Sequence, residues 1–151
     1  MNKIKIFLAA PISSFKDEVQ YKKNRENLLY FIRKLNNGFD VYSEILNIGS
    51  LESYDEPGQS AIKDFSKISE ADIFIIYHPM NIQTSTLIEL GYAIAKQKKI
   101  IIIAELDALP YLALGLSKYS TDIKIIQSSD INDSTINQVE KCINEFVDIS
   151  K

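Results

Sequence analysis

Glu89 is the one carboxylate in the segment from Ser85 to Lys99, STLIELGYAIAKQKK, which is otherwise mostly apolar. The segment has the periodicity of a helix, so Glu89 is expected in its first turn, where the helix dipole should keep a carboxylate ionised. An ionised carboxylate in a crevice can attack the anomeric carbon of a sugar or stabilise an oxocarbenium-like transition state. Glu89 is therefore a candidate for chemistry at a glycosidic carbon.

A capping box is the simpler interpretation of the same residue. In that motif Thr86 and Glu89 would satisfy backbone donors at the start of the helix, and Glu89 would have no other role. A helical wheel favours this alternative, because it places Glu89 opposite the apolar face formed by Leu87, Leu90, Gly91 and Ile94.

Other kinds of catalytic site are restricted by the composition. Cys142 is the only cysteine and His78 the only histidine, so a disulfide within the chain and a multi-histidine metal site are excluded. No G-x-S-x-G turn accompanies His78, and neither G-x-x-x-x-G-K-[ST] nor G-x-G-x-x-G occurs. We expect neither a metal nor a cofactor, and the candidate groups that remain are carboxylates, hydroxyls and amides.

The composition also bears on partners and location. The 151 residues suit one domain with a substantial core, and the net charge of −3 argues against a nucleic-acid partner. No apolar run approaches the roughly 18 residues of a membrane span, and the segment IKIFLAAPI is typical of a strand rather than of a signal peptide. We expect a cytoplasmic protein with a small-molecule ligand and no membrane partner.

Short apolar runs alternate with longer helical patterns along the chain. The patterns predict strands over residues 3–9, 39–43, 72–78, 99–104 and 122–127. They predict helices over residues 15–36 and 59–70, from residue 85, and over residues 132–149, with a short helix before residue 118. The near-continuous apolar strands indicate an α/β domain with a five-stranded parallel sheet in the flavodoxin-like order 2-1-3-4-5 and helices on both faces.

Such a sheet has an expected ligand site. Ligands bind beyond the carboxyl ends of the strands, where the strand order reverses, which here lies between the first and third strands. The loops at that point are residues 9–14, AAPISS, and residues 79–84, PMNIQT. The second loop leads directly into the segment that carries Glu89, so the fold argument brings this carboxylate close to the expected crevice.

Three stretches, in order, resemble the nucleoside 2-deoxyribosyltransferase superfamily, which includes the deoxynucleoside monophosphate N-hydrolases. They are KIFLAAP, DFSKISEADIFIIY and ELGYAIAKQKKIIII, and the resemblance covers about two thirds of the chain, implying one such domain over residues 1–151. It implies cleavage or transfer of the N-glycosidic bond of a nucleoside or nucleotide. Carried over by position, Glu89 would be the nucleophile, Asp64 would protonate the leaving base, and Asp72 would be structural.

The resemblance also suggests which residues bind substrate. They are Ala9, Ala10, Pro11, Ser13, Gln83, Ser85 and Asp122. Asp122 aligns loosely with an asparagine that a neighbouring subunit contributes in the transferases. This chain departs from the family pattern at Ala10, where glycine is usual, and at Gln83, where aspartate or serine is usual, and it lacks the hydrolases' G-S-I-R loop.

Two other functions are compatible with the same residues. TIR-like domains, which hydrolyse NAD, also have a five-stranded parallel sheet and a catalytic glutamate early in a helix, and SEADIFIIYHP and STLIEL are compatible with that pattern. A nucleotide-binding or interaction module without turnover would explain the altered specificity positions.

The sequence also predicts self-association. The family implies a homodimer or a larger homo-oligomer. The apolar segment over residues 108–119, together with Ile88 and Tyr92, is the expected contact surface.

Overall fold

The computed structural model describes residues 2–12, 14–15, 17–47, 55–82 and 84–149. Five strands form one sheet: β1 (Lys5–Ala9), β2 (Asp40–Tyr42), β3 (Ile73–Tyr77), β4 (Lys99–Ile103) and β5 (Ile123–Ile126). All neighbouring pairs are parallel and the order is β2-β1-β3-β4-β5. The predicted α/β fold, sheet order and strand direction are confirmed.

Five α-helices accompany the sheet: α1 (Glu18–Leu35), α2 (Pro57–Glu70), α3 (Thr86–Ala95), α4 (Leu116–Tyr119) and α5 (Asp133–Ile149). Short 3-10 turns occupy Glu44–Leu46, Leu106–Ala108 and Tyr111–Gly115. Helix α2 begins two residues before the predicted start, because Glu56 caps it by accepting from the amides of Gly58 and Gln59, with Pro57 in the first turn.

The strands are buried on both faces, and alternate side chains enter two separate cores. Ile6, Leu8 and Ile75 pack against α1 and α5 on one face of the sheet. On the other face, strand residues such as Phe7 and Ile76 pack against α2 and α3. This alternation explains why the strands are almost wholly apolar, since neither face of the sheet meets water.

Helices α2 and α3 cover the face of the sheet on which the candidate site lies. Leu90 and Ala93 are buried against the sheet, as expected for an apolar helix face. Gly91, however, is exposed and Tyr92 is half-buried. Tyr92 stacks on Phe65 of α2, with ring centroids 4.6 Å apart, and bonds to the hydroxyl of Ser69 at 2.8 Å. The wheel was therefore wrong to place Gly91 on the face toward the sheet, and it did not address the contact between α3 and α2.

Candidate active site

A cavity of about 280 Å³ lies at the carboxyl end of β1, between α2 and α3. Its walls come from the end of β1 and the loop after it, the turn after β2, helix α2 and the start of α3. The functional groups that line it are Ser43, Glu44, Asp55, Ser60, Asp64, Thr84, Ser85, Thr86 and Glu89. Carboxylates and hydroxyls, brought together from separate parts of the chain, therefore surround one small space at the point where the strand order reverses.

A larger depression, of about 730 Å³, lies at the amino edge of the sheet. Lysines dominate its polar lining, including Lys3, Lys5 and Lys98. Lys98 donates to the carbonyls of Ser69 and Ala71, at 2.8 and 2.7 Å, so its ammonium joins the end of α2 to the turn between α3 and β4. We place the candidate chemistry in the smaller cavity, because four carboxyl groups line it.

Glu89 lines this cavity and does not cap its helix. Helix α3 begins at Thr86, with Ser85 as its N-cap. A capping box joins the N-cap residue to the third residue of the helix, whereas Thr86 and Glu89 are the first and fourth residues. Thr84 supplies the first acceptors instead: its hydroxyl accepts from the amide of Thr86 at 3.3 Å, and its carbonyl accepts from Leu87 at 3.2 Å. The capping interpretation was wrong, and the Glu89 carboxyl is left available to a ligand.

Asp64 reaches the same cavity from the middle of α2. It lies one residue before Phe65 and four before the fully buried Ile68, so its position borders the apolar face of the helix. Its Oδ1 is buried without a hydrogen-bond partner among the described residues. A buried carboxyl oxygen with no partner is costly unless the group is protonated or a ligand binds it.

Glu44 was missed by the sequence analysis. It begins the 3-10 turn that follows β2 and lines the cavity beside Asp64. Its Oε2 accepts a hydrogen bond from the Tyr42 hydroxyl at 2.9 Å, and its Oε1 lies 3.7 Å from Nζ of Lys63. The sequence feature that could have indicated Glu44 is its position directly after a strand, at the same edge of the sheet as Asp64 and Glu89.

Burial and mutual repulsion raise the pKa values of two of these groups, Glu89 and Asp64, so that they hold protons unusually well. Burial is the main reason that the pKa of Glu89 rises to about 8, and the charges of Asp64 and Glu44 add to it. Burial likewise raises the pKa of Asp64 to about 7, with further contributions from the charge of Glu44 and a hydrogen bond to it. Near neutral pH the pair therefore retains at least one acidic proton.

The expectation that the helix N-terminus keeps Glu89 ionised is thus wrong near neutral pH. A helix terminus favours a carboxylate by about 0.3–1 kcal/mol, which is less than one pKa unit. Withdrawal of the carboxylate from water, next to two other acids, has the larger effect. Both forms of Glu89 are therefore accessible within a narrow pH range near neutral.

The remaining predicted site residues are distributed as follows. Ala9, Ala10 and Ser85 line the cavity. Pro11 is buried beside it, and its carbonyl accepts from the Asn24 side chain at 3.0 Å, which fixes the first loop to α1. Ser13 and Gln83 lie outside the described residues.

Two aspartates lie at the opposite, amino edge of the sheet. Asp122 precedes β5 and pairs with Lys99. Within one chain it therefore cannot reach the cavity, and its expected role in a neighbouring subunit's site stays a prediction. Asp72 accepts from the Lys5 amide at 2.8 Å and joins β3 to β1, in keeping with a structural role.

Among the described residues, no group of three or more His, Cys, Asp or Glu side chains has the arrangement of a metal site. Across the same residues, no helix combines the length and apolar character that a membrane span requires.

Comparison with known proteins gives similarity in structure but not in sequence. No family model matches the chain, and no curated protein shows significant similarity to it. The CMP N-glycosidase BcmB of Clostridium botulinum superimposes with a TM-score of 0.63 and 26% identity, over 90% of this chain and 98% of BcmB. This similarity agrees with the resemblance to the deoxyribosyltransferase superfamily at the level of the fold.

Two other solved structures share the fold. The solution structure of BlsM has a TM-score of 0.75 and 20% identity, over 97% of this chain and 93% of BlsM. A conserved protein from Enterococcus faecalis V583 has a TM-score of 0.64 and 20% identity, over 92% of this chain and 98% of its own. At this identity the similarity concerns the fold alone.

Proposed function

We propose that this protein cleaves or transfers the N-glycosidic bond of a nucleoside or nucleotide, with Glu89 as nucleophile and Asp64 as general acid. The observation that carries the proposal is the meeting of these two carboxyl groups, from two helices, in one cavity that retains an acidic proton near neutral pH. The similarity to a CMP N-glycosidase supports the same class of bond.

The first half of the reaction consumes the retained proton. Asp64 donates it to a nitrogen of the base, the bond between C1′ and the base breaks, and the base leaves neutral. The carboxylate of Glu89 attacks C1′ and forms a glycosyl ester, which replaces one difficult displacement by two easier steps. This half requires Glu89 ionised and Asp64 protonated at the same moment. Because the pKa of Glu89 is about 8 and that of Asp64 about 7, this is the less populated of the two singly protonated forms, and the reaction proceeds through it.

The second half restores both groups. Water or a second base attacks C1′, the ester bond to Glu89 breaks, and Asp64, now a carboxylate, accepts the proton of the incoming nucleophile. Attack by water makes the protein a hydrolase, and attack by a base makes it a transferase.

The cavity has groups suited to both halves of a nucleoside. Ile12 and Pro57 line it and offer an apolar surface to a base. Hydroxyls of Ser43, Ser60, Thr84 and Ser85 line it as well and can bond to sugar oxygens. A volume of about 280 Å³ lies near the lower end of the range for small-molecule sites.

A panel of nucleosides, nucleotides and NAD tests the proposal. Wild type and Glu89→Gln are incubated with each compound, and mass spectrometry measures release of free base with and without a second base. Base release by wild type alone supports the proposal. Release of nicotinamide from NAD alone would favour the TIR-like alternative, and no consumption of any compound would favour a binding module.

We also propose that the protein acts as a homodimer or a larger homo-oligomer. Tyr111 and Leu112 are 93% and 81% exposed, and Ile88 on α3 is 65% exposed. Exposed apolar side chains of this size commonly mark an interface. Tyr92, which was expected to contribute, packs against α2 instead and is not proposed here.

A further inference from the structure

Glu44 is one of the four carboxyl groups that line the cavity, and it has a hydrogen-bond donor and an ion-pair partner of its own. The Tyr42 hydroxyl donates to it at 2.9 Å, and the Lys63 ammonium lies 3.7 Å from its other oxygen. Tyr42 is itself held by its ring, whose centroid lies 5.5 Å from that of Phe7. Because its neighbours supply protons or positive charge, the Glu44 carboxyl acts toward them as a hydrogen-bond acceptor.

Asp64 lines the same cavity as Glu44, and its buried Oδ1 has no hydrogen-bond partner among the described residues. Besides burial, which has the largest effect, the Glu44 carboxyl raises the pKa of Asp64 both by its charge and as a hydrogen-bonding neighbour. Two carboxyl groups can be joined in this way only if one of them supplies a proton. Since the Tyr42 hydroxyl donates to Glu44 and the Lys63 ammonium forms an ion pair with it, Asp64 is the member that holds the proton. The other charged groups that act on Asp64 are Lys63 and Asp55, and Glu89 faces it from α3.

We propose that Glu44 is a positioning residue, which accepts the Asp64 proton and so keeps Asp64 in the acid form until a substrate base takes that proton. The inference rests on the proposed function, since it assigns Glu44 a part in the same reaction. After the base has left, the Asp64 carboxylate faces the Glu44 carboxylate, and their repulsion favours return of a proton from the incoming nucleophile to Asp64. Glu44 itself neither gains nor loses a proton over the cycle.

The test is a pair of pH titrations of wild type and Glu44→Gln. The first follows the carboxyl carbon of Asp64 by NMR and needs no turnover. The second follows base release as a function of pH, with a natural nucleoside and with an activated aryl riboside. The matched control is Glu70→Gln, which removes one negative charge from the far end of α2, where Glu70 contacts Lys67.

In wild type, the Asp64 carbon should titrate near neutral pH. In Glu44→Gln, the midpoint of the Asp64 titration should move down by about one pH unit, because a neighbouring negative charge is lost. The alkaline limb of the pH–rate profile for base release should move down by the same amount. The rate with the activated riboside should change less than the rate with the nucleoside, because its leaving group needs little protonation. Glu70→Gln should reproduce none of these changes.

The outcomes separate this inference from the proposed function. A wild-type Asp64 that titrates near its ordinary value would overturn the role of Glu44 without any variant. The role of Glu44 would also be overturned if folded Glu44→Gln kept both the wild-type midpoint of the Asp64 titration and the wild-type alkaline limb of the pH–rate profile, even if wild type releases base. If wild type consumes no substrate, the proposed function fails, while the NMR titration still decides whether Glu44 sets the proton on Asp64.

Discussion

Phe65 of α2 and Tyr92 of α3 stack with their ring centroids 4.6 Å apart, and this contact sets the register between the two helices that carry the candidate catalytic acids. Asp64 directly precedes Phe65, and Glu89 lies one helical turn before Tyr92. A shift of one helix along the other would therefore separate the carboxyl groups. The ring stack therefore helps to hold the carboxyl groups of Asp64 and Glu89 in position relative to each other.

Tyr92→Ala should reduce both stability and activity. It removes the ring stack and the hydrogen bond to Ser69 from a half-buried position, at a cost of about 1–3 kcal/mol in the free energy of unfolding. Tyr92→Phe keeps the ring and should retain most of the activity. Denaturant unfolding and base-release rates measure the two effects, and an equal loss of activity in both variants would contradict a role for the stack.

Glu89→Gln should abolish base release while the protein stays folded. Loss of a covalent nucleophile lowers the rate by roughly 1000-fold or more. The change preserves shape, and the start of α3 does not depend on the Glu89 side chain, so the circular dichroism spectrum should be unchanged. Turnover of a confirmed substrate by this variant at the wild-type rate would disprove the assignment.

Asp64→Asn should slow the reaction according to the leaving group. An amide cannot donate a carboxylic proton, so we expect a loss of about 100-fold or more for bases that must be protonated. For an activated aryl riboside the loss should be below about 10-fold. Rates across a series of leaving groups measure this dependence, and equal losses across the series would show that Asp64 is not the acid.

The stability of the protein should fall as the pH rises through the neutral range. Burial raises the pKa of Asp64 to about 7 and that of Glu89 to about 8, so the folded chain retains protons that the unfolded chain releases above about pH 4. Because the folded state then binds more protons, the free energy of unfolding decreases with pH until both groups are ionised.

Denaturant titrations at pH 5.5 and 8.5 measure this dependence. We expect wild type to lose several kcal/mol between the two values, and Glu89→Gln to lose less than half as much, because an amide has no charge to bury. At pH 8.5 the variant should therefore be more stable than wild type. A variant with the same pH dependence as wild type would show that Glu89 is not the group responsible.

Light scattering at micromolar concentration should show a dimer or a larger assembly. Tyr111→Asp and Leu112→Asp should shift the protein toward monomer, because each places a charge on a highly exposed apolar side chain of the proposed interface. Val19→Asp is the matched control, since Val19 is 74% exposed near the start of α1. A strictly monomeric wild type would contradict the proposal and would also remove any role for Asp122 of a neighbouring subunit.

The fold followed from local features of the sequence. Apolar runs of strand length, separated by helical patterns, are sufficient to indicate a parallel sheet covered on both faces, and the order of strands then fixes where a crevice opens. Element ends were less exact: α1 begins at Glu18 rather than near residue 15, because Asp17 accepts from the amide of Val19 and acts as its N-cap.

The site depended on contacts that no local pattern contains. A helical wheel describes one helix against one surface, so it placed Glu89 away from the core, whereas α2 provides a second surface and the cavity lies between them. Glu44 entered the site because β2 neighbours β1 in the sheet, although Glu44 and Glu89 are far apart in sequence. The sequence by itself determined Glu89 and Asp64 as candidates and the edge of the sheet at which the site lies. Only the tertiary structure decided that Glu44 lies beside them and that the pKa values of Asp64 and Glu89 are raised, because burial and charge repulsion depend on distances between separate elements.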